Sequence, residues 1–183
     1  FYYSLPCIAL DADTKQNVNT ETVSLRTTMT EKANAFQAAL QHHKAGQLVE
    51  AAVLYETAIA ANPEFADAVV NLAALRAAQG DFEAAEKCFA RALELLPEDT
   101  VTLVNYGNLL QRRGDHEAAA TNYRSAISHA ADLAAAHVGL GNALLSLGHF
   151  ADSIDAFNKA LEFTPDDISI YNSLGSAWLA NGY

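Results

Sequence analysis

The chain predicts an all-α fold, an α-solenoid of antiparallel helix pairs, on three observations. Gly46, Gly80, Gly114, Gly148 and Gly182 stand 34 residues apart, and a fixed period of that size is the mark of stacked repeats that contact only their neighbours. Within each period an apolar pattern at three- and four-residue steps occurs twice, once on each side of the glycine, so two helices share each unit. Pro63, Pro97 and Pro165 keep the same beat; a proline cannot continue the helix before it and so closes the unit. Placing each glycine fifteenth gives repeats 32–65, 66–99, 100–133 and 134–167, with a partial unit at 168–183. Many of the hydrophobic residues are alanine, which suits closely packed helices.

Residues 1–31 precede the repeats and read as a leader that is disordered or not native to the protein. Phe1 to Leu10 is a short apolar run, and Asp11 to Thr22 has neither a helical nor a strand period. A truncated signal sequence is the alternative, although no basic segment precedes the apolar run. Met29 is the only methionine, so one expectation is that the natural product starts there.

In each unit a first helix (A) is expected before the glycine, at 33–45, 67–79, 101–113, 135–147 and 169–181. A second (B) follows at 49–61, 83–95, 117–129 and 151–162. Gly80-Asp81 and Gly114-Asp115 combine a residue tolerant of positive φ with a helix N-cap. Ala131 stands where the other repeats have proline, so the third B helix is expected to run on by up to a turn.

Aligning the units explains their stacking. Tyr55, Phe89, Tyr123 and Phe157 form a column of aromatics nine residues after each glycine. Small residues on helix A (Ala39, Ala73, Gly107, Gly141, Gly175) face small residues on helix B (Ala51, Ala85, Ala119, Ser153), and Ala58, Ala92, Ala126 and Ala160 form a third column. On the fifth A helix, Tyr171, Leu174 and Trp178 occupy the packing side and await a covering helix.

This combination resembles the tetratricopeptide repeat family: a large residue then Leu-Gly early in helix A, alanine and an aromatic in helix B, and a closing proline. Residues 140–165 carry the likeness most fully, and the first repeat, with Ala35, Ala38 and Ala39, least. The resemblance implies a right-handed solenoid whose concave groove is lined by helix A. It also implies a non-catalytic protein-interaction scaffold that holds an extended peptide of a protein partner. On the lining stripe lie Val104, Asn108 and Gln111 of the third repeat and Val138, Asn142 and Leu145 of the fourth. Asn71 and Asn105 repeat one position along, and Arg112 follows Gln111. Side-chain amides both donate and accept, so a row of them suits a peptide backbone without choosing a sequence.

Arrays resembling those of O-linked N-acetylglucosamine transferases carry an asparagine ladder at the sixth position, interrupted here by Gln37, Gly139 and Ser173. The alternative reading is therefore the substrate-docking part of a larger glycosyltransferase-like enzyme, with further repeats or a domain beyond Tyr183. Arrays of the carboxylate-clamp type need lysine or arginine at the fifth position, where this chain has Phe36, Val70, Val104 and Val138.

Charge follows the same division. Net charge is −11, yet Asp67 is the only acid within the A helices, whose bases are Lys44, Arg76, Arg112 and Arg113. The groove is expected to be free of acids and the outer surface acidic. A sequence pI near 4.8 argues against binding a polyanion. No glycine-rich phosphate loop, no nucleophile with a base and no chelating histidine pair is present, since adjacent His42 and His43 point ~100° apart on a helix. The chain is therefore expected to be no enzyme, to need no cofactor or metal, and to avoid nucleic acid and membrane. Two scattered cysteines, Cys7 and Cys88, fit a cytoplasmic setting without excluding the periplasm.

Overall fold

The computed structural model describes residues 34–182. The leader 1–31 with Met29, residue 33 at the expected start of the first helix, and Tyr183 lie outside the described residues. Those described form nine helices and no strand. They are α1 (34–44), α2 (Leu48–Ala61), α3 (Ala66–Ala78), α4 (Phe82–Leu95), α5 (Thr100–Arg113), α6 (His116–His129), α7 (Ala134–Ser146), α8 (Phe150–Phe163) and α9 (Ile168–Ala180). From the end of α1 onward every boundary falls within one residue of the expectation from sequence.

The five ruler glycines all have positive φ, from 75° to 92°, a region closed to most side chains. That turn lets the second residue past the helix reach back to its last turn. The Asp81 N–H bonds Arg76 O at 3.0 Å, and the Asp115 and His149 N–H groups bond Leu110 O and Leu144 O at 2.9 Å. Asp81 then caps α4 by accepting from the Ala84 N–H at 3.2 Å. Asp115 departs from expectation: it makes no cap bond and turns to Arg113, 3.3 Å away. Asp99 and Asp167 cap α5 and α9 instead.

The third B helix does not run on at Ala131. It stops at His129 like its counterparts, with the Ala130 N–H bonded to Ala126 O. His137 of α7 supplies a tie where proline is missing: its Nε2 lies 2.9 Å from Ala131 O, which leaves the turn in place. Tertiary contact thus replaces the local stop.

The chain divides into two compact units, one ending at Pro63 and one starting at Glu64. In the first, Tyr55 of α2 is fully buried, its ring 5.9 Å from Phe36 and 6.0 Å from His43 of α1, and its hydroxyl is 3.2 Å from His43 Nδ1.

In the second unit, α3–α4, α5–α6 and α7–α8 are antiparallel pairs, and each B helix also packs on the next A helix. Successive A helices α3, α5, α7 and α9 touch one another, whereas successive B helices do not pack comparably. The A helices thus form the inner layer. One aromatic joins each pair to the next: Phe89 packs with Ala73, Ala85 and Leu109, Tyr123 with Ala119, Leu110 and Ala143, and Phe157 with Ile154, Ile170 and Ala177. All three rings are buried, as are the expected small partners on the B helices. Ser153 replaces alanine in its column without cost because its hydroxyl donates to Gly141 O at 2.8 Å.

Candidate functional site

The inner layer of the second unit opens into a groove where α5, α7 and α9 line up, and Tyr123 sits at its floor. The ring is wedged against two A helices. A Cβ on Gly107 of α5 would stand 2.7 Å from Tyr123 Cε1, and one on Gly139 of α7 only 2.4 Å, so both positions need glycine for the approach. This lets the phenol pass between the helices, where its hydroxyl donates to Asn108 Oδ1 at 2.7 Å and lies 3.4 Å from Gln111 Oε1. Burial pushes the Tyr123 pKa up to about 12, so the hydroxyl keeps its proton and acts as a donor.

Above it the groove encloses about 790 Å³ and is mainly apolar. Val104, Asn108, Gln111 and Arg112 line it from α5, Ala135, Val138 and Asn142 from α7, and Ser169 and Ile170 from α9. A smaller dimple of about 160 Å³ lies between α3 and α5, walled by Ala74, Ala77, Phe89 and Asn105. Asn108 and Arg112 border both. Arg112 is held in place, donating to Ala77 O at 3.0 Å with its guanidinium 4.9 Å from the centre of the Phe82 ring.

The expected groove residues do not all come together. Val104, Asn108, Gln111, Arg112, Val138 and Asn142 come together in the large groove, and Asn105 joins Asn108 and Arg112 in the dimple. Asn71 instead turns back on its own helix, donating to Asp67 O at 2.7 Å. Leu145 packs with the Phe157 and Ile170 cluster. The amides are also not equivalent, since Asn108 is engaged with Tyr123 while Asn105 and Asn142 have no side-chain partner among the described residues.

The expectation of an acid-free groove needs correction. Asp167 lines it from the turn before α9, beside Thr164, and the Ser169 hydroxyl and N–H bonded to its carboxylate hold its pKa below the usual value. The groove therefore carries a cation on α5 and an anion on the α8–α9 turn. Reading the A helices alone missed this turn. Its signal, Pro165-Asp-Asp followed by a helix, was present as an N-cap pattern. Among the described residues no cluster of histidine, cysteine and acids suits a metal ion, and no helix is long and apolar enough to cross a membrane.

Two sequence profiles, both of the tetratricopeptide repeat, match the chain, one over residues 42–101 and the other over 106–168. No curated protein sequence matches it. Among solved structures, MamA from Desulfovibrio magneticus RS-1 is similar with a TM-score of 0.78 at 18% identity, covering 82% of this chain and 85% of that one. PilF of Pseudomonas aeruginosa has a TM-score of 0.77 at 20% identity, over 85% of this chain and 71% of that one. The first tetratricopeptide domain of Spaghetti (RPAP3), solved with the HSP90 peptide SRMEEVD, has a TM-score of 0.63 at 18% identity, over 64% and 94%. At these identities the likeness is one of fold. With its 34-residue helix pairs, glycine turns and interlocking aromatics, the chain belongs to the tetratricopeptide repeat family of protein-interaction scaffolds.

Proposed function

We propose that the groove between α5, α7 and α9 holds an extended segment of a partner protein, and that the chain is a non-catalytic, cytoplasmic scaffold without a cofactor. The observation that carries this reading is the pairing of a largely apolar groove with the unengaged amide of Asn142 on its wall. A buried peptide backbone must have its N–H and C=O groups bonded, and an amide side chain offers both a donor and an acceptor. Val104 and Val138 take up apolar side chains alongside. The Spaghetti domain holds an acidic peptide; here Asp167 and the apolar fifth positions favour a segment with little net negative charge.

Selection from a phage-displayed random dodecapeptide library against the full chain tests this. Peptides that bind wild type should lose roughly two- to tenfold in affinity to Asn142→Ala, the effect of one hydrogen bond at about 0.5–1.5 kcal/mol. Because the Asn142 side chain holds no other part of the fold among the described residues, the melting curve should not move. Selected peptides whose affinity is unchanged by Asn142→Ala and by Ala135→Trp, which fills the groove from an exposed position, would place binding elsewhere.

A further inference from the structure

Of the residues that line the groove between α5, α7 and α9, only Arg112 and Asp167 are charged, and neither meets an opposite charge among the described residues. Arg112 stands near the end of α5, at the thirteenth place of its repeat, away from the apolar fifth positions. One of its N–H groups donates to Ala77 O, and the others remain for a ligand. Its neighbour Arg113 is different, being engaged with both Glu86 and Asp115. Asp167 accepts the N–H and the hydroxyl of Ser169 on Oδ1, at 2.9 and 2.6 Å. Those bonds hold its carboxyl below the usual range and so keep it ionised.

Both side chains are fixed before anything binds, Arg112 by a carbonyl and the Phe82 ring and Asp167 by Ser169. A ligand group that reaches them therefore does not have to order them first. The two charges stand apart because α7 lies between their elements. Helices in contact are roughly 8–10 Å apart, so α5 and α9 are separated by roughly 16–20 Å. At ~3.3 Å per residue an extended chain needs about five residues or more to cover that distance.

We infer that the segment held in this groove is dipolar: a carboxylate side chain sits over Arg112, a lysine or arginine side chain reaches Asp167, and about five residues or more separate the two. This inference deepens the peptide-groove reading and rests on it. A uniformly acidic segment would set a carboxylate against Asp167, and a uniformly basic one a cation against Arg112, both disfavoured as like charges. Between the two ends the segment passes Val104, Val138 and Asn142, where no charge lines the groove. An amide accepts any backbone and leaves the register open, so the charges at the ends set it.

Dodecapeptides selected on the full chain are synthesised with both termini capped, so that only side chains carry charge, and titrated at low and high salt. Those whose binding Ala135→Trp abolishes are expected to carry an acid and a base at the stated separation and to bind more weakly at high salt. Changing the peptide's acid to glutamine should weaken binding to wild type roughly two- to tenfold, and should leave binding to Arg112→Gln unchanged. Changing its base to glutamine should do the same, with the effect absent in Asp167→Asn, a variant that keeps the cap of α9 because asparagine also caps helices. Groove-bound peptides that lack either charge, or whose charge effects persist undiminished in the matching variant, overturn the dipolar segment and leave the groove in place. Peptides indifferent to Ala135→Trp would remove the groove, and this inference with it.

Discussion

Two junctions of the second unit use the same stitch differently. Between the second and third repeats Phe89 is the buried ring, Tyr106 stacks on it at 5.6 Å with an interplanar angle of 23°, and the sixth position above it keeps an asparagine, Asn105. Between the third and fourth the ring is Tyr123, the neighbour of Tyr106's position is Leu140, and the sixth position is Gly139. A tyrosine must thread its hydroxyl to the inner face, and Gly139 yields the space. Replacing the side chain above the ring lowers the groove floor, and about 790 Å³ opens there against about 160 Å³ over Phe89. The gap in the asparagine row at Gly139 is thus a packing consequence that also shapes the groove.

The largest effect should be common to both junctions. Phe89→Ala and Tyr123→Ala should each lose about 3–5 kcal/mol by denaturant unfolding, with neighbouring repeats affected because stability is shared between them. A much smaller loss at either site would mean that its ring does not join the repeats.

The junctions should then diverge. Gly139→Ala should cost about 1–3 kcal/mol by forcing a methyl into the Tyr123 ring. In a Tyr123→Ala background the same change should become stabilising by up to about 1 kcal/mol, as alanine replaces glycine in a helix. Asn105→Ala, its counterpart over Phe89, should stay within about 0.5 kcal/mol. Absence of the sign reversal in a double-mutant cycle would break the explanation of Gly139.

Tyr123→Phe should cost about 0.5–1.5 kcal/mol at neutral pH, the value of the bond to Asn108. It should also change the alkaline limb. The folded pKa of Tyr123 is raised to about 12 from 10.0, so the neutral phenol favours the folded state, and that stability is fully present below pH 10 and lost as pH rises toward 12. Burial raises Tyr55 and Tyr106 too, so the phenylalanine variant should lose less than wild type between about pH 9 and about pH 11.5, not nothing. Equal losses in the two proteins would remove Tyr123 from the effect.

The smallest difference concerns caps. Asp99→Ala removes bonds to Thr102 and should cost about 1 kcal/mol, whereas Asp115→Ala, which caps nothing, should change stability by less than about 0.5 kcal/mol in thermal melts.

Most of the architecture was legible because local chemistry carries it. Positive-φ glycines end each A helix, and alanine and aromatic columns at helical spacing declare which faces meet. Those signals depend only on residue type and period, so helix bounds came within one residue. Which side chains would pair was not legible in the same way. The Ala131 turn was held by His137, six residues on, and Asp115 gave up its expected cap for Arg113. Nothing in residue spacing ranks such partners.

The candidate site shows the same limit. The sequence by itself determined that amides and valines would share the A-helix face, because three- and four-residue steps place side chains on one side of a helix. Only the tertiary structure decided which amides remain unengaged, since Asn71 folds onto its own backbone and Asn108 accepts from a tyrosine on another helix. It also brought Asp167 to the groove from a turn outside the A helices. Hydrogen bonds are short and directional, so their partners are fixed by distances of a few ångströms that emerge once helices have packed, while burial follows from periodicity alone.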